Sequence, residues 1–576
     1  VDKDKVQVLF KPHQVVYKHL RDQGKLESYY IPATIDTNEI LAITDILISD
    51  YSSIFFDYMV TGRPILFYIP DIESYTTSRG LYTTPDKLPG PITKKAEEIG
   101  EWINNIDNYK ELFDYSNYTE TKDWAVKYDD GHVCDRIVDV IFNGKLDAAI
   151  IKSGFANKEK IKLLIHNDTM KTNGITTSVH NLLENLDYDK YDVTLYGGTS
   201  PGGNYEEAEE NTCSINENVR VLFRNTTYNG TIEELINNEL TLVYGVKNAK
   251  KKKFFPEEFY RKEYERCFPN TKFDYVINFS GYSNLLSLVL ASNAEAKKLI
   301  WMHNDMYAER ERFDDGEIKF RVMDSIYEYY DRMVSCSRSV MEVNIANLST
   351  KKNRHKYSYA KNLVSDERIQ KCLQQNLWVN FKDDQYYVKN IYESVTGGIS
   401  IGVIEGIDEN CINFVTMGRL SQEKNHKNLI LAFDKLFKDN DNVRLYILGE
   451  GPLKKDLNNL IAKYKLEGKV CLTGNLSNPF GFISRCNCYI MPSLHEGQPM
   501  AILEARMLNM PIVVSNFSTV KDSLYEKGQL LIGMDVDSIY EGMKAFIEGK
   551  VPNEFRFDIE KYNKEAIIEF ENNLIF

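Results

Sequence analysis

Ser493-Leu494-His495-Glu496-Gly497-Gln498-Pro499-Met500-Ala501-Ile502-Leu503-Glu504-Ala505 is the stretch on which the fold turns. Two glutamates, Glu496 and Glu504, stand eight residues apart in it. The apolar run Cys488-Tyr489-Ile490-Met491 just before it predicts a buried strand. Met500 to Leu508 predicts a helix with Pro499 at its first turn, where a missing N–H costs nothing. One carboxylate then lies in a strand-to-helix loop and the other about a turn into the helix. Both open on the carboxyl edge of a parallel sheet, where α/β folds take their ligands.

Working outward, Phe414-Val415-Thr416-Met417 and Val443 to Leu448 predict neighbouring strands. The first runs into Gly418-Arg419-Leu420-Ser421-Gln422-Glu423-Lys424. Arg419 and Lys424 follow a strand end five residues apart, so both can reach one diphosphate; two surface cations on a loop is the other reading. With the Glu496–Glu504 stretch, this block resembles the signature of family 4 retaining glycosyltransferases, from roughly Lys160 to the C-terminus. The resemblance implies the α/β GT-B fold, two Rossmann-like domains facing a cleft, and transfer of a sugar from a nucleotide-sugar. A UDP-sugar is the family-level expectation for the donor, with no metal and no other cofactor.

The same resemblance assigns roles. Arg419 and Lys424 would stabilise the charge growing on the leaving diphosphate, the kind of fixed electrostatic help that lowers such barriers most. Glu496 would lie beside the donor sugar. Glu504 would accept hydrogen bonds from the ribose diol, for which a carboxylate offers two oxygens. Backbone N–H groups from Gly497 through Pro499 to Met500 would meet sugar hydroxyls or phosphate, and Gly497 permits close approach. Gly474, in Gly474-Asn475-Leu476, would approach the nucleotide base, whereas Glu450-Gly451-Pro452 reads as a structural turn.

Three positions come from the preceding half. Gly174, in Lys171-Thr172-Asn173-Gly174-Ile175, stands at a predicted helix N-terminus, where bare N–H groups favour phosphate; an ordinary helix-start glycine is the alternative. His303, in Trp301-Met302-His303-Asn304-Asp305, follows a predicted strand and is either a neighbour of the donor sugar or a satisfied structural histidine. Asn173 and Asn362 are weaker candidates for the cleft lining. Strands are predicted here at Ile161 to Ile165, Asp192 to Tyr196, Tyr275 to Phe279, Leu299 to Met302 and Met333 to Ser335, with a helix from Ile175 to Leu186.

A separate unit precedes these. Val6 to Phe10, Ile46 to Ile48 and Pro64 to Tyr68 predict strands, and Asn38 to Thr44 and Ile54 to Val60 predict helices, an alternation that argues for a parallel sheet. Lys11-Pro12-His13, Ser49-Asp50-Tyr51-Ser52-Ser53 and Gly62-Arg63-Pro64 resemble the nucleotide-binding half of the CDP-glycerol glycerophosphotransferases that build teichoic acids. The resemblance makes His13, Ser52 and Ser53 candidates for holding a diphosphate; Asp50 and Asp57 are ambiguous, and Ser52 also reads as a helix cap. The Trp-His-Gly-like segment of that family's other half is missing, so this unit is expected to be incomplete and non-catalytic as given. The expected division is 1–148, 158–395 and 396–576, with a polar linker near 146–160.

Composition agrees with a multidomain enzyme. The 576 residues exceed one core, and 43% hydrophobic with 27% charged residues argues against disorder. A net charge of −14 opposes general nucleic-acid binding. Nine cysteines without CxxC pairs read as core residues of a reducing cytoplasm. The start at Val1, without Met, suggests a missing upstream segment. A polymer or lipid-linked glycan acceptor is expected from the teichoic-acid-like unit. Peripheral contact with the inner face of the cell membrane is expected through Lys247 and Lys250-Lys251-Lys252-Lys253-Phe254-Phe255, where a solvated loop is the competing reading. Two other functions compete: a glycerophosphotransferase with an accessory sugar-transferase unit, and a non-catalytic glycan-binding scaffold.

Overall fold

The computed structural model describes residues 5–12, 29–32, 34–72, 84–145, 159–198, 208, 211–224, 228–309, 322–382, 384–393 and 399–576. The chain divides into two compact units, Val1–Gly154 with Ile391–Ser400 and Phe155–Asn390 with Ile401–Phe576. The expected boundaries at 148–158 and 395–396 lie outside the described residues, as does His13.

In the first unit a parallel sheet joins Leu47–Ser49, Ile65–Tyr68 and Ile92–Thr93, with Leu47 opposite Ile65 and Phe67 opposite Ile92. Helix Ile54–Met59 buries Phe55, Tyr58 and Met59 against Ile65 and Phe67. The strand expected at Val6 to Phe10 does not form. Phe10 makes a single bridge to Tyr30, while Val8 stays 62% exposed, so the apolar run has no ladder and covers no core.

The second unit holds two parallel sheets. The first has seven strands in the order Tyr357–Tyr359, Arg332–Ser335, Lys297–Met302, Tyr275–Asn278, Ile161–Asn167, Tyr191–Gly198, Arg220–Arg224. The second has six, in the order Val470–Gly474, Val443–Leu448, Ile412–Met417, Cys488–Met491, Ile512–Ser515, Leu530–Ile532. In each sheet the first strand lies beside the fourth, so successive connections leave in opposite directions and open a crevice at the strands' carboxyl ends. These strands are short and buried on both faces, as parallel sheets covered by helices require: Phe414, Val415, Leu445, Ile447, Cys488 and Ile490 are all fully buried. This is the α/β GT-B architecture, with an extra partial Rossmann-like sheet in the first unit.

Helix Ile559–Asn572, last in the chain, does not stay with the second sheet. Ala566, Phe570 and Leu574 pack against the first sheet with Ile165, Leu195 and Trp301. Tyr275 donates to the Leu574 carbonyl (2.5 Å) and Lys190 pairs with Glu571 (2.6 Å). The Rossmann half that begins at Ile161 is thus completed by the C-terminal residues.

Among the described residues, no helix is long and apolar enough to cross a membrane. The lysine-rich turn differs from expectation in its aromatic part. Phe254 and Phe255 are half-buried; Phe255 stacks on Tyr329 and Tyr260, and Phe254 meets Tyr244.

Candidate active site

The six-stranded sheet builds the site at its reversal point. The loop leaving Ile412–Met417 and the loop leaving Cys488–Met491 emerge side by side, with Phe414 in register with Cys488. Asn425, in left-handed conformation (φ 57°), ends the first loop and anchors it by donating to the Pro492 and Met534 carbonyls at 3.0 and 2.9 Å. Leu494 N–H donates to the Glu423 carbonyl (2.8 Å) and ties the two loops together.

Lys424 and Glu496 meet between them. Lys424 Nζ lies 2.6 Å from Glu496 Oε1, and Ser493 Oγ donates to the same oxygen at 2.7 Å. Both side chains are largely enclosed. Arg419 is exposed and, among the described residues, its guanidinium has no ion pair. The turn Glu450-Gly451-Pro452 backs this loop: a Cβ on Gly451 would lie 2.5 Å from the Leu420 carbonyl, and one on Gly449 2.2 Å from that of Gly418. That turn is structural, as its sequence implied. Gly474 (φ 72°) ends its strand with its Cα face against Lys389 and Glu450.

Glu504 lies on the helix Met500–Met507, whose N-cap is Pro499. It is buried and accepts from Arg368 Nη2, which comes from the helix Asp366–Gln374. Burial raises the Glu504 carboxyl above the ordinary carboxylate value, and the Arg368 guanidinium partly offsets this. Arg368 escaped the sequence reading because a charge in an amphipathic helix is ordinarily solvated, and nothing local points to a partner 136 residues away.

From the first sheet, His303 follows the strand Lys297–Met302, and its Nε2 lies 2.6 Å from the Phe279 carbonyl. Burial holds this imidazole down to about 4, so it is neutral near pH 7. A neutral ring donating from Nε2 keeps Nδ1 as an acceptor. Gly174 opens the helix Gly174–Asn185 and is exposed, with free space where a Cβ would stand. Asn173 Oδ1 already accepts from the N–H groups of Ile175 and Thr176, leaving fewer donors at this end than the sequence suggested.

Contacts between the two sheets' loops are close. A Cβ on Gly497 would lie 1.7 Å from the His303 carbonyl oxygen. Gln498 accepts from Asn362 N–H (2.6 Å) and donates to Tyr562 OH (2.6 Å), which donates to the Asn362 carbonyl (3.1 Å). Asn362 is therefore a clamp between the halves, through its backbone. Lys424, Glu496, Glu504, Gly497, Pro499 and Met500 are gathered on the Ser493–Met507 segment and its neighbour loop, and the Gly497 contact brings His303 to them.

In the first unit, Ser52 Oγ is 3.4 Å from Ile54 N–H, and Ser53 caps helix Ile54–Met59 without a side-chain bond. Asp50 accepts from Ser52 N–H (3.0 Å), and Tyr51 OH donates to Asp71 (2.8 Å). Arg63 donates to the Ala42 and Thr44 carbonyls and so closes the end of helix Thr37–Ile43.

A pH dependence of stability follows from the buried imidazoles. His426, two residues after Lys424, is also held at about 4 by burial and by that lysine. Between about pH 6.5 and 4 the unfolded chain binds these protons and the folded one does not. The stabilisation is complete above 6.5 and is lost as pH falls towards 4, by about 3 kcal/mol per group. The melting temperature should drop from about pH 7.5 to about pH 5, and less so in His426→Gln; an equal drop in both proteins would refute the His426 contribution.

Residues 402–566 match the family of glycosyl transferases group 1, and residues 2–143 match CDP-Glycerol:Poly(glycerophosphate) glycerophosphotransferase. The chain is 29% identical over 223 residues to an uncharacterized glycosyltransferase of Methanocaldococcus jannaschii, covering 38% of this chain and 54% of that protein. It is 33% identical over 144 residues to the teichoic acid ribitol-phosphate polymerase TarL of Staphylococcus aureus, covering 24% of this chain and 25% of that one. The chain thus spans about half or less of these curated relatives. Among solved structures, HepE of Anabaena in complex with UDP and glucose aligns with a TM-score of 0.49 at 14% identity, over 71% of this chain and 99% of that one. The protein therefore carries a glycosyl transferases group 1 domain in its C-terminal part and a segment of the CDP-Glycerol:Poly(glycerophosphate) glycerophosphotransferase type in its N-terminal part.

Proposed function

We propose that this protein is a retaining glycosyltransferase that moves a sugar from a nucleotide-sugar, a UDP-sugar in first place, to a cell-surface glycan or teichoic-acid-type acceptor. The observation that carries the reading is the Lys424–Glu496 pair at the sheet's reversal point, with exposed Arg419 on the same loop as Lys424. In the reaction, the bond between the sugar C1 and the diphosphate oxygen breaks with its electron pair. C1 gains the acceptor's hydroxyl oxygen, and that hydroxyl's proton leaves with the diphosphate. Arg419 and Lys424 would receive the growing charge, the role for which fixed donors are most effective. Glu496 would hold the donor sugar and Glu504 the ribose, with Arg368 paired to Glu504 from the neighbouring helix. Neutral His303 would accept from a sugar hydroxyl rather than act as an acid. Gly174 and Gly474 would border the phosphate and the base. The acceptor class is supported by the glycerophosphotransferase-type segment and its likeness to a teichoic acid polymerase.

Arg419 and Lys424 would take the place of a metal at the diphosphate. A panel of nucleotide-sugars, with and without teichoic acid and with and without a chelator, tests the reading. Release of a nucleoside diphosphate that persists in the chelator is expected. CMP from CDP-glycerol as the main product would replace this function with glycerophosphotransfer, and activity lost to the chelator and restored by magnesium would refute metal independence.

A further inference from the structure

The strand Asp384–Glu393 reaches the candidate site from outside both parallel sheets. It pairs antiparallel with Trp378–Phe381, Trp378 standing opposite Tyr387. Tyr387 is fully buried, meets the Phe482 ring edge-on and donates through its hydroxyl to the Asn478 carbonyl (2.6 Å). Lys389, two positions on, shares that face of the strand. Its carbonyl accepts from Ser477 N–H (2.9 Å) and from Ser477 Oγ (3.0 Å), which pins it to the loop after Gly474. Its ammonium comes to Gly474 itself: a Cβ there would lie 2.4 Å from Lys389 Nζ and 2.5 Å from Glu450 Oε1. Gly449 N–H donates to the Gly474 carbonyl (2.9 Å) and keeps the two loops side by side. The glycines of the Glu450 turn are structural, but its carboxylate stands against Gly474. Lys454 already pairs with Glu450 Oε1 at 2.8 Å, so neutralising that carboxylate does not call for a second lysine.

The strand order sets where these groups fall along a bound nucleotide. Arg419 and Lys424 follow Ile412–Met417, Glu450 follows the neighbouring Val443–Leu448, and Gly474 ends the strand beyond that. Gly474 thus lies two strand spacings, roughly 10 Å, from the strand that leads to the two cations. On the ribose side, Arg368 pairs with Glu504 and lies over the Phe480 ring, 5.1 Å from its centre. Phe480 belongs to the helix Pro479–Ile483, which follows the Gly474 loop. A nucleoside held at Arg419, Lys424 and Glu504 would therefore extend its base towards Gly474, with Glu450 on the near side and Lys389 beyond. On a pyrimidine the group farthest from the ribose is the one on C4, opposite the glycosidic nitrogen. An ammonium has only donors to offer it, and a carboxylate only acceptors. Uracil presents an oxygen on C4 and an N–H at N3, which suit Lys389 and Glu450 in turn. Cytosine presents an amino group and a bare ring nitrogen, so both contacts would set like against like.

We propose that Lys389, with Glu450, selects uracil as the base of the donor nucleotide and rejects cytosine. This rests on the sugar-transfer reading of the site and names its nucleotide. The test is displacement of labelled UDP from the full chain by unlabelled UDP, CDP and ADP. Competition keeps any CDP held elsewhere on the chain out of the readout. UDP is expected to compete roughly ten- to a hundredfold better than CDP, the usual worth of a hydrogen bond to a charged group. Lys389→Met keeps the side chain's bulk and removes its donors; it should bring that ratio close to one. Lys389→Arg should retain the ratio, and thermal melting should be unchanged in both variants. Glu450→Ala should narrow the ratio as well. A lysine with a merely structural role would leave it alone. CDP or ADP competing as well as UDP, or an unchanged ratio in Lys389→Met, overturns the proposal and leaves the sugar-transfer reading standing. Failure of labelled UDP to bind at all overturns both.

Discussion

Lys424→Ala should lower sugar transfer by on the order of 10²-fold or more, the usual consequence of deleting one electrostatic donor from a charge-developing site. The loss should fall mainly on kcat, because charge on the diphosphate is greatest as the bond breaks. The variant leaves Glu496 with Ser493 Oγ as its remaining partner at 2.7 Å. Glu496 is 12% exposed, so a stability cost on the order of 1 kcal/mol accompanies the kinetic one. Lys424→Ala with Glu496→Gln removes the uncompensated charge and should recover that stability without recovering transfer. Glu504→Ala is expected to lose transfer comparably, through the donor KM. Turnover at the wild-type rate in Lys424→Ala, measured with melting behaviour, would dismiss the assignment.

Gly497→Ala should be at least as damaging, although it adds one methyl group. That methyl would stand 1.7 Å from the His303 carbonyl oxygen and 3.2 Å from Asn304 Oδ1. The obstacle is backbone, so the loop has to move by more than an ångström. Displacement of that size at a reacting centre costs on the order of 10²-fold in rate. Glu496 is the adjacent residue and must move with it. Overpacking adds about 1–3 kcal/mol of destabilisation. Kinetics and thermal melting of the purified variant read the two effects separately; transfer and melting like those of the wild type would show that the two halves are not held together at this point.

What the sequence made legible were the buried parallel strands and the loops at their ends. Ile412–Met417, Val443–Leu448 and Cys488–Met491 are apolar runs bounded by glycine, proline or charge, and fully buried strands have no other way to be written. Their shared carboxyl edge then placed Lys424 and Glu496 together. Pairs made across long stretches of chain left no local trace. Arg368 beside Glu504 belongs to this kind, as does Leu574 accepting from Tyr275, 299 residues away. Local pattern also misled. Val6 to Phe10 has the composition of a strand but no neighbouring strand among the described residues. Phe254 and Phe255 looked like anchors and are packing residues.

The return of helix Ile559–Asn572 to the first sheet has a consequence for biosynthesis. The surface of Ile165, Leu195 and Trp301 that receives Phe570 is translated long before its cover. From the end of that sheet to the helix is roughly two hundred residues, on the order of ten to forty seconds of synthesis at 5–20 residues per second. Throughout that interval the nascent first half exposes an apolar face that Ala566, Phe570 and Leu574 later cover. A chaperone that shields such faces would be needed most during that delay, and the emergence of helix Ile559–Asn572, rather than completion of the first sheet, would time the closing of this core.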